Sequence, residues 1–146
     1  MDAFELRLTP GRVGDFEFHN VVILINDVPL QELARAVEAP HAEAEGKPAL
    51  AGSYAPLSTD QLNYDPKHFL GTPVATWFED GDTVLLGCEC GEWGCWPLTA
   101  QVEVESETVR WSGFRNGHRD WNLSDLGPFE FNRMQYENAV EAVRRD

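Results

Sequence analysis

The sequence has no apolar run approaching the roughly 18 residues that mark a membrane-spanning helix. Cations are scarce: 11 Lys and Arg stand against 25 Asp and Glu, a net charge of −14. A surface of that sign repels phosphate backbones and anionic headgroups, which argues against nucleic acid and a lipid surface as ligands. Cysteine is limited to three residues. An odd number cannot pair completely, which argues against a disulfide-built secreted scaffold. The first residues, Met1-Asp2-Ala3-Phe4-Glu5, carry neither a basic nor a long apolar stretch. No secretory leader is therefore expected, and the cytoplasm, where thiols stay reduced, is the expected location. Gly-x-Gly-x-x-Gly, a phosphate loop, Gly-x-Ser-x-Gly and His-Glu-x-x-His are all missing. This argues against nucleotide chemistry, serine hydrolysis and zinc proteolysis.

What is present is an ordinary globular composition. Hydrophobic residues make up 42% of 146 residues, with eight Phe and five Trp, enough for one domain, residues 1–146, with its own core. Phe4-Glu5-Leu6-Arg7-Leu8 alternates as a half-buried strand, and Thr9-Pro10-Gly11 reads as the turn that closes it. Residues 15–26 pass from alternation at Phe16 and Phe18 to the continuous run Val21-Val22-Ile23-Leu24-Ile25, the pattern of a strand covered on both faces. A helix is expected over 29–39, capped by Asp27, with Leu30, Leu33, Ala34 and Val37 inward and Glu32, Arg35 and Glu38 outward. Pro40 should stop it. Residues 38–59 then read as a long surface loop carrying a solvated His41.

The second half has the rhythm of an antiparallel meander. Residues 73–78 and Thr83 to Cys88 flank Asp80-Gly81, a hairpin signal. Ala100, Val102 and Val104 alternate with Gln101, Glu103 and Glu105. Ser106-Glu107 turns the chain into Thr108-Val109-Arg110-Trp111, so that Arg110 faces the acidic row. A short Phe129-Glu130-Phe131 precedes a helix over 132–144. Asn132 and Gln135 are spaced as a capping box, Tyr136, Ala139, Val140 and Val143 form its buried stripe, and Arg144 and Arg145 lie in its last turn. The expected architecture is α+β: a mainly antiparallel sheet of about five to seven strands with two helices on one face.

The most unusual chemistry is Cys88-Glu89-Cys90-Gly91-Glu92-Trp93-Gly94-Cys95. Two cysteines at i and i+2 of a strand share a face, and the glycines allow a tight return that brings the third back. Three thiolates plus an imidazole, from His118 or His68, would complete a tetrahedral zinc site. A nucleophilic cysteine assisted by His118 and Asp120 is a weaker option, because Glu89 and Glu92 oppose a thiolate. The plainest option is a packed turn between strands, with Trp93 and Trp96 around it.

With Asn26-Asp27-Val28-Pro29-Leu30, His68-Phe69-Leu70-Gly71, Val109-Arg110-Trp111 and Gly127-Pro128-Phe129-Glu130-Phe131-Asn132, this segment resembles a group of small uncharacterised bacterial proteins. The resemblance implies a bacterial single-domain protein and brings no activity, cofactor or catalytic residue. The leading functional expectation is a non-enzymatic acidic domain that binds a basic protein, a toxin-neutralising immunity protein being one concrete form. Glu103, Glu105 and Glu107 are its candidate docking stripe. The alternative is a zinc protein built on Cys88, Cys90, Cys95 and His118. A cysteine-dependent enzyme comes third.

Overall fold

A computed structural model describes residues 1–144; Arg145, expected in the last helical turn, lies outside them. The strands are β1 (Phe4–Val13), β2 (Phe16–Ile25), β3 (Val28–Pro29), β4 (Tyr54–Ser58), β5 (Asp82–Cys88), β6 (Leu98–Val104), β7 (Thr108–Asn116) and β8 (Phe129–Asn132), with helices α1 (Leu30–Ala44) and α2 (Arg133–Val140). All strand pairs are antiparallel. The sheet runs β1-β2-β4-β5-β6-β7-β8, and the two-residue β3 pairs with β2. The α+β reading and its C-terminal meander stand. No helix among the described residues is long and apolar enough to cross a membrane.

The two edges of the sheet meet. Asp2 forms a parallel bridge with Phe131. The Asp2 amide donates to Glu130 O, and the Glu130 amide donates to the Asp2 carboxylate, both at 2.9 Å. Asn26 completes the staple: its amide nitrogen donates to Asp2 at 3.0 Å, and its carbonyl accepts from Ala3 at 2.8 Å. Asn26 and Asp27 both have positive φ, 54° and 67°, as a two-residue hairpin turn between β2 and β3 requires. Asp27 is thus a turn residue, not the cap of α1, which begins after Pro29 without a side-chain cap.

Inside the closed end, Phe4 packs against Trp111, Phe131 and Tyr136 at ring distances of 5.3, 5.0 and 4.5 Å. The indole of the fully buried Trp111 donates to Tyr136 Oη at 3.0 Å, and that hydroxyl donates to Phe69 O at 2.6 Å. Polar tips buried with aromatic bodies must be partnered, and these are. Leu30 and Ala34 of α1 and Tyr136 and Val140 of α2 enter the same core, so both helices cover one face. Asn132 caps α2 through the Gln135 amide at 2.9 Å. The Gln135 side chain does not fold back to complete the box. It clamps the backbone of Phe4 through both Oε1 and Nε2. The helix then ends in a short 3-10 turn, Glu141–Val143.

Three local expectations fail for tertiary reasons. The first strand does not stop at Thr9-Pro10-Gly11. It continues to Val13, because Pro10 lies on an outer strand where its missing N–H breaks no ladder. Residues 38–59 are not one long loop; 45–53 stay irregular, with a short 3-10 turn at Pro48–Leu50. α1 runs through Pro40, because its last turn is tied down: Ala42 is buried, His41 stacks on Trp121 at 6.1 Å, and Glu45 pairs with Arg119 at 3.1 Å. β4 then forms within the supposed loop. Finally, residues 73–78 are not a strand. Asp82 is buried and gathers Trp77 N, Phe78 N and the Thr76 hydroxyl, which folds the preceding segment into an irregular clasp. Burial raises the Asp82 carboxyl, but these hydrogen bonds outweigh it and hold the pKa below its ordinary value.

Candidate functional site

The end of the molecule opposite the staple is open. β1 and β2 extend as a two-stranded arm around Gly14-Asp15. At its tip Val13 is 69% and Phe16 57% exposed. Phe16 stacks against Phe18 at 6.0 Å. The Phe18 ring lies across Gly11, its partner in register, where a Cβ would come within 2.4 Å of the ring. Glycine at position 11 therefore lets Phe18 fold over the arm while Phe16 stays out.

The cysteine segment forms the facing wall. Cys88 closes β5 opposite Tyr54, and Cys90 and Cys95 follow on the surface. Trp93 opens a short 3-10 turn that crosses back over β5. It can do so because residue 87 is glycine: a Cβ there would meet Trp93 Cβ at 2.6 Å and its Cα at 2.8 Å. Between arm and loop lies a groove of about 510 Å³ lined by Val13, Phe16, Phe18, Pro56, Leu57 and Trp93. Among the described residues its charged lining residues are Asp60 and Glu89, and no Lys or Arg contributes.

The thiols form a linked group on the rim. The Cys90 amide donates to Cys88 Sγ at 3.4 Å, and Cys90 Sγ lies 3.8 Å from Glu92 O. Hydrogen bonds from the Cys88 thiol, the Glu92 backbone and the Cys95 thiol hold the Cys90 thiol below its ordinary pKa. Cys95 is pushed up, first by its bond to Cys90. The Cys90 amide draws Cys88 down, but its thiol bond to Cys90, burial and neighbouring charge push it up overall. All three cysteines are free. Among the described residues no group of three or more His, Cys, Asp or Glu side chains stands ready to hold a metal ion.

His118 lies behind this loop. Its Nε2 is 3.0 Å from Gly94 O, and its ring sits between Trp77 at 4.9 Å and Trp96 at 6.3 Å. No described hydrogen bond joins it to a cysteine sulfur or to Asp120. His68 is elsewhere: it is fully buried, with Nε2 2.7 Å from Val84 O and Nδ1 accepting from Val74 N at 3.0 Å. Both nitrogens are used, so His68 is a neutral strut and not a ligand. Burial lowers its pKa from 6.5 to about 4. Glu103, Glu105 and Glu107 are all exposed. Glu103 stands opposite Arg110 in the register of β6 and β7, a pairing worth about 0.2–1 kcal/mol. Glu105 and Glu107 flank the turn, whose carbonyls accept from the Arg133 side chain and backbone.

One polar feature is missing from the sequence reading. Glu38, assigned there to an outer face, is fully buried. Its Oε1 accepts from Gly52 N at 2.8 Å, and its Oε2 from Tyr54 Oη at 2.5 Å. Tyr54 Oη accepts in turn from Asn116 Nδ2 at 3.0 Å, and Asn116 Oδ1 accepts from His118 N at 2.7 Å. Desolvation raises the Glu38 pKa, against the opposing hydrogen bonds. This network ties α1, β4 and β7 to the turn behind the cysteine loop. The one signal in the sequence was position: Glu38 is four residues from both Ala34 and Ala42, which are buried on the same stripe.

No family model, curated protein or solved structure matches this chain.

Proposed function

We propose that this protein is a non-enzymatic interaction domain that receives an extended, basic and partly apolar segment of a partner protein between the β1–β2 arm and the cysteine loop. The observation that carries this reading is the groove itself. Phe16 and Val13 are exposed at its edge, and its charged residues, Asp60 and Glu89, have one sign. Large apolar side chains grouped on a rim mark surfaces that bury something. A net charge of −14 steers cationic segments toward it. Docking that covers Phe16 contributes about 1–3 kcal/mol. An inhibitor or immunity protein acting on a basic target would use such a surface. This relocates the docking site from Glu103, Glu105 and Glu107 to the open end.

The test uses two synthetic peptides, one alternating Lys and Leu, the other alternating Glu and Leu. Amide NMR shifts should change for residues 13–18, 55–61 and 87–93 with the first peptide only, and the effect should weaken as salt rises. Equal response to both peptides, or shifts confined to the β6–β7 turn, would refute the proposal.

A second reading is a zinc site on Cys88, Cys90 and Cys95 with His118 as fourth ligand. It is supported by the hydrogen bond from the Cys90 amide to Cys88 Sγ and by the contact of His118 with Gly94, next to Cys95. Elemental analysis of protein prepared without chelator decides it: about one zinc per chain supports the site, and none removes it.

A further inference from the structure

We propose that the basic side chain the groove selects is a trimethylated lysine of the partner segment. This rests on the groove reading above and names the chemistry of its occupant. Three aromatic side chains, Phe16, Phe18 and Trp93, line this one groove. Among the described residues the charges beside them are Asp60 and Glu89, and no cation of the chain lines it. Elsewhere the chain covers aromatic rings with its own cations: Arg115 lies over Phe78 at 3.8 Å, and Arg119 over Trp96 at 5.2 Å. Aromatic rings beside carboxylates, with no resident cation, suit a quaternary ammonium brought from outside. The walls are held in place before anything binds. Gly87 admits the Trp93 backbone, and the Trp77 ring packs at 79° to the Trp93 ring, 6.5 Å away. Phe18 lies across Gly11, and Phe16 stacks on it at 6.0 Å. Walls ordered in advance lower the cost of binding.

Hydration decides which lysine fits. An unmodified ammonium carries three N–H donors and a tightly held water shell. Taking it out of water costs free energy unless acceptors replace that shell. Several acceptors of the groove are already engaged within the protein. Gln61 Oε1 accepts from Ser58 N at 2.8 Å, and Ser58 Oγ accepts from Gln61 N at 3.1 Å. Asp60 Oδ1 accepts from the Tyr64 hydroxyl at 3.1 Å. Trimethylation keeps the positive charge and removes every donor. The cation then needs ring faces and a nearby carboxylate charge rather than a full set of acceptors. Asp60 and Glu89 supply the charge, and Phe16, Phe18 and Trp93 supply the rings.

The experiment measures the affinity of the full chain for three forms of the Lys/Leu peptide. One is unmodified, one has its central lysine trimethylated, and one carries the neutral tert-butyl isostere at that position. The trimethylated peptide should bind about tenfold more tightly than the unmodified one. The isostere has the same shape without the charge and should lose that gain. In Phe16→Leu/Phe18→Leu, apolar surface remains but two rings are gone, and the ratio between trimethylated and unmodified peptide should fall to about threefold or less. Tetramethylammonium chloride should displace the trimethylated peptide only at concentrations far above the peptide's Kd. Equal binding of the first two peptides, an isostere that binds as tightly as the cation, or an unchanged ratio in the double variant would overturn the proposal. Displacement by tetramethylammonium at the peptide's own Kd would make the ligand a small quaternary amine and overturn the partner segment. Binding of the unmodified peptide with no preference removes this proposal and leaves the groove reading standing. Binding of none of the three removes both.

Discussion

The same hairpin, β1 with β2, is treated in opposite ways at its two ends. Near Phe4 and Ile25 its inward side chains are enclosed by β8, α2 and Trp111, and its polar groups are stapled through Asp2 and Asn26. Near Val13 and Phe16 the ladder continues in register, but among the described residues no third strand and no helix covers the apolar face. Folding accounts for the first end. The second retains a phenylalanine and a valine in water, beside a cysteine loop whose thiols are accessible. The closed end is where stability resides, and the open end is where recognition has room to occur.

Substitutions should separate the two ends by the size of their effects. The largest is expected at the closed end: Trp111→Ala should destabilise the fold by about 3–5 kcal/mol in chemical denaturation. Loss below about 1 kcal/mol would show that the aromatic cluster is not the centre of stability. The buried histidine tests the boundary between the ends. Its folded-state pKa, about 4, lies below the ordinary 6.5. The unfolded chain therefore takes up the proton first, and stability is lost as pH falls from 6.5 to 4, to a limit of about 3 kcal/mol. Glu38 acts in the opposite sense. Its raised pKa makes the fold gain stability as pH falls toward 4.5. Thermal melts of wild type and His68→Gln across that window should therefore differ in slope, the variant losing less on acidification; parallel curves would refute the neutral strut.

Smaller effects are expected nearer the groove. Tyr54→Phe leaves Glu38 Oε2 and Asn116 Nδ2 without their shared partner and should cost about 1–3 kcal/mol. Gly87→Ala pushes a Cβ into Trp93 and should cost about 1–3 kcal/mol while moving the cysteine loop, seen as a change in Trp fluorescence. The smallest stability change belongs to the arm: Phe16→Ala should alter stability by less than about 0.5 kcal/mol.

The strands that alternate cleanly, β6, β7 and the first half of β1, were legible because one face of each meets the core and the other meets water. The stripe of α2 and its Asn132 cap were legible for the same local reason. Other features depend on residues distant in sequence. Pro40 lies inside a helix because Trp121, Asn122 and Arg119 hold the turn beyond it. Asp80-Gly81 is not a hairpin because Asp82 gathers the preceding backbone amides. At the site, the cysteine cluster was visible as a motif. The facing wall was not, because Val13 and Phe16 look like ordinary strand residues until it is known that no other element among the described residues covers them.

The account is tested most directly by measuring stability and peptide affinity together for wild type and Phe16→Ala. It predicts an unchanged denaturation midpoint and about a tenfold weaker affinity for the Lys/Leu peptide. A variant that loses stability in step with affinity, or that binds as well as wild type, would contradict it.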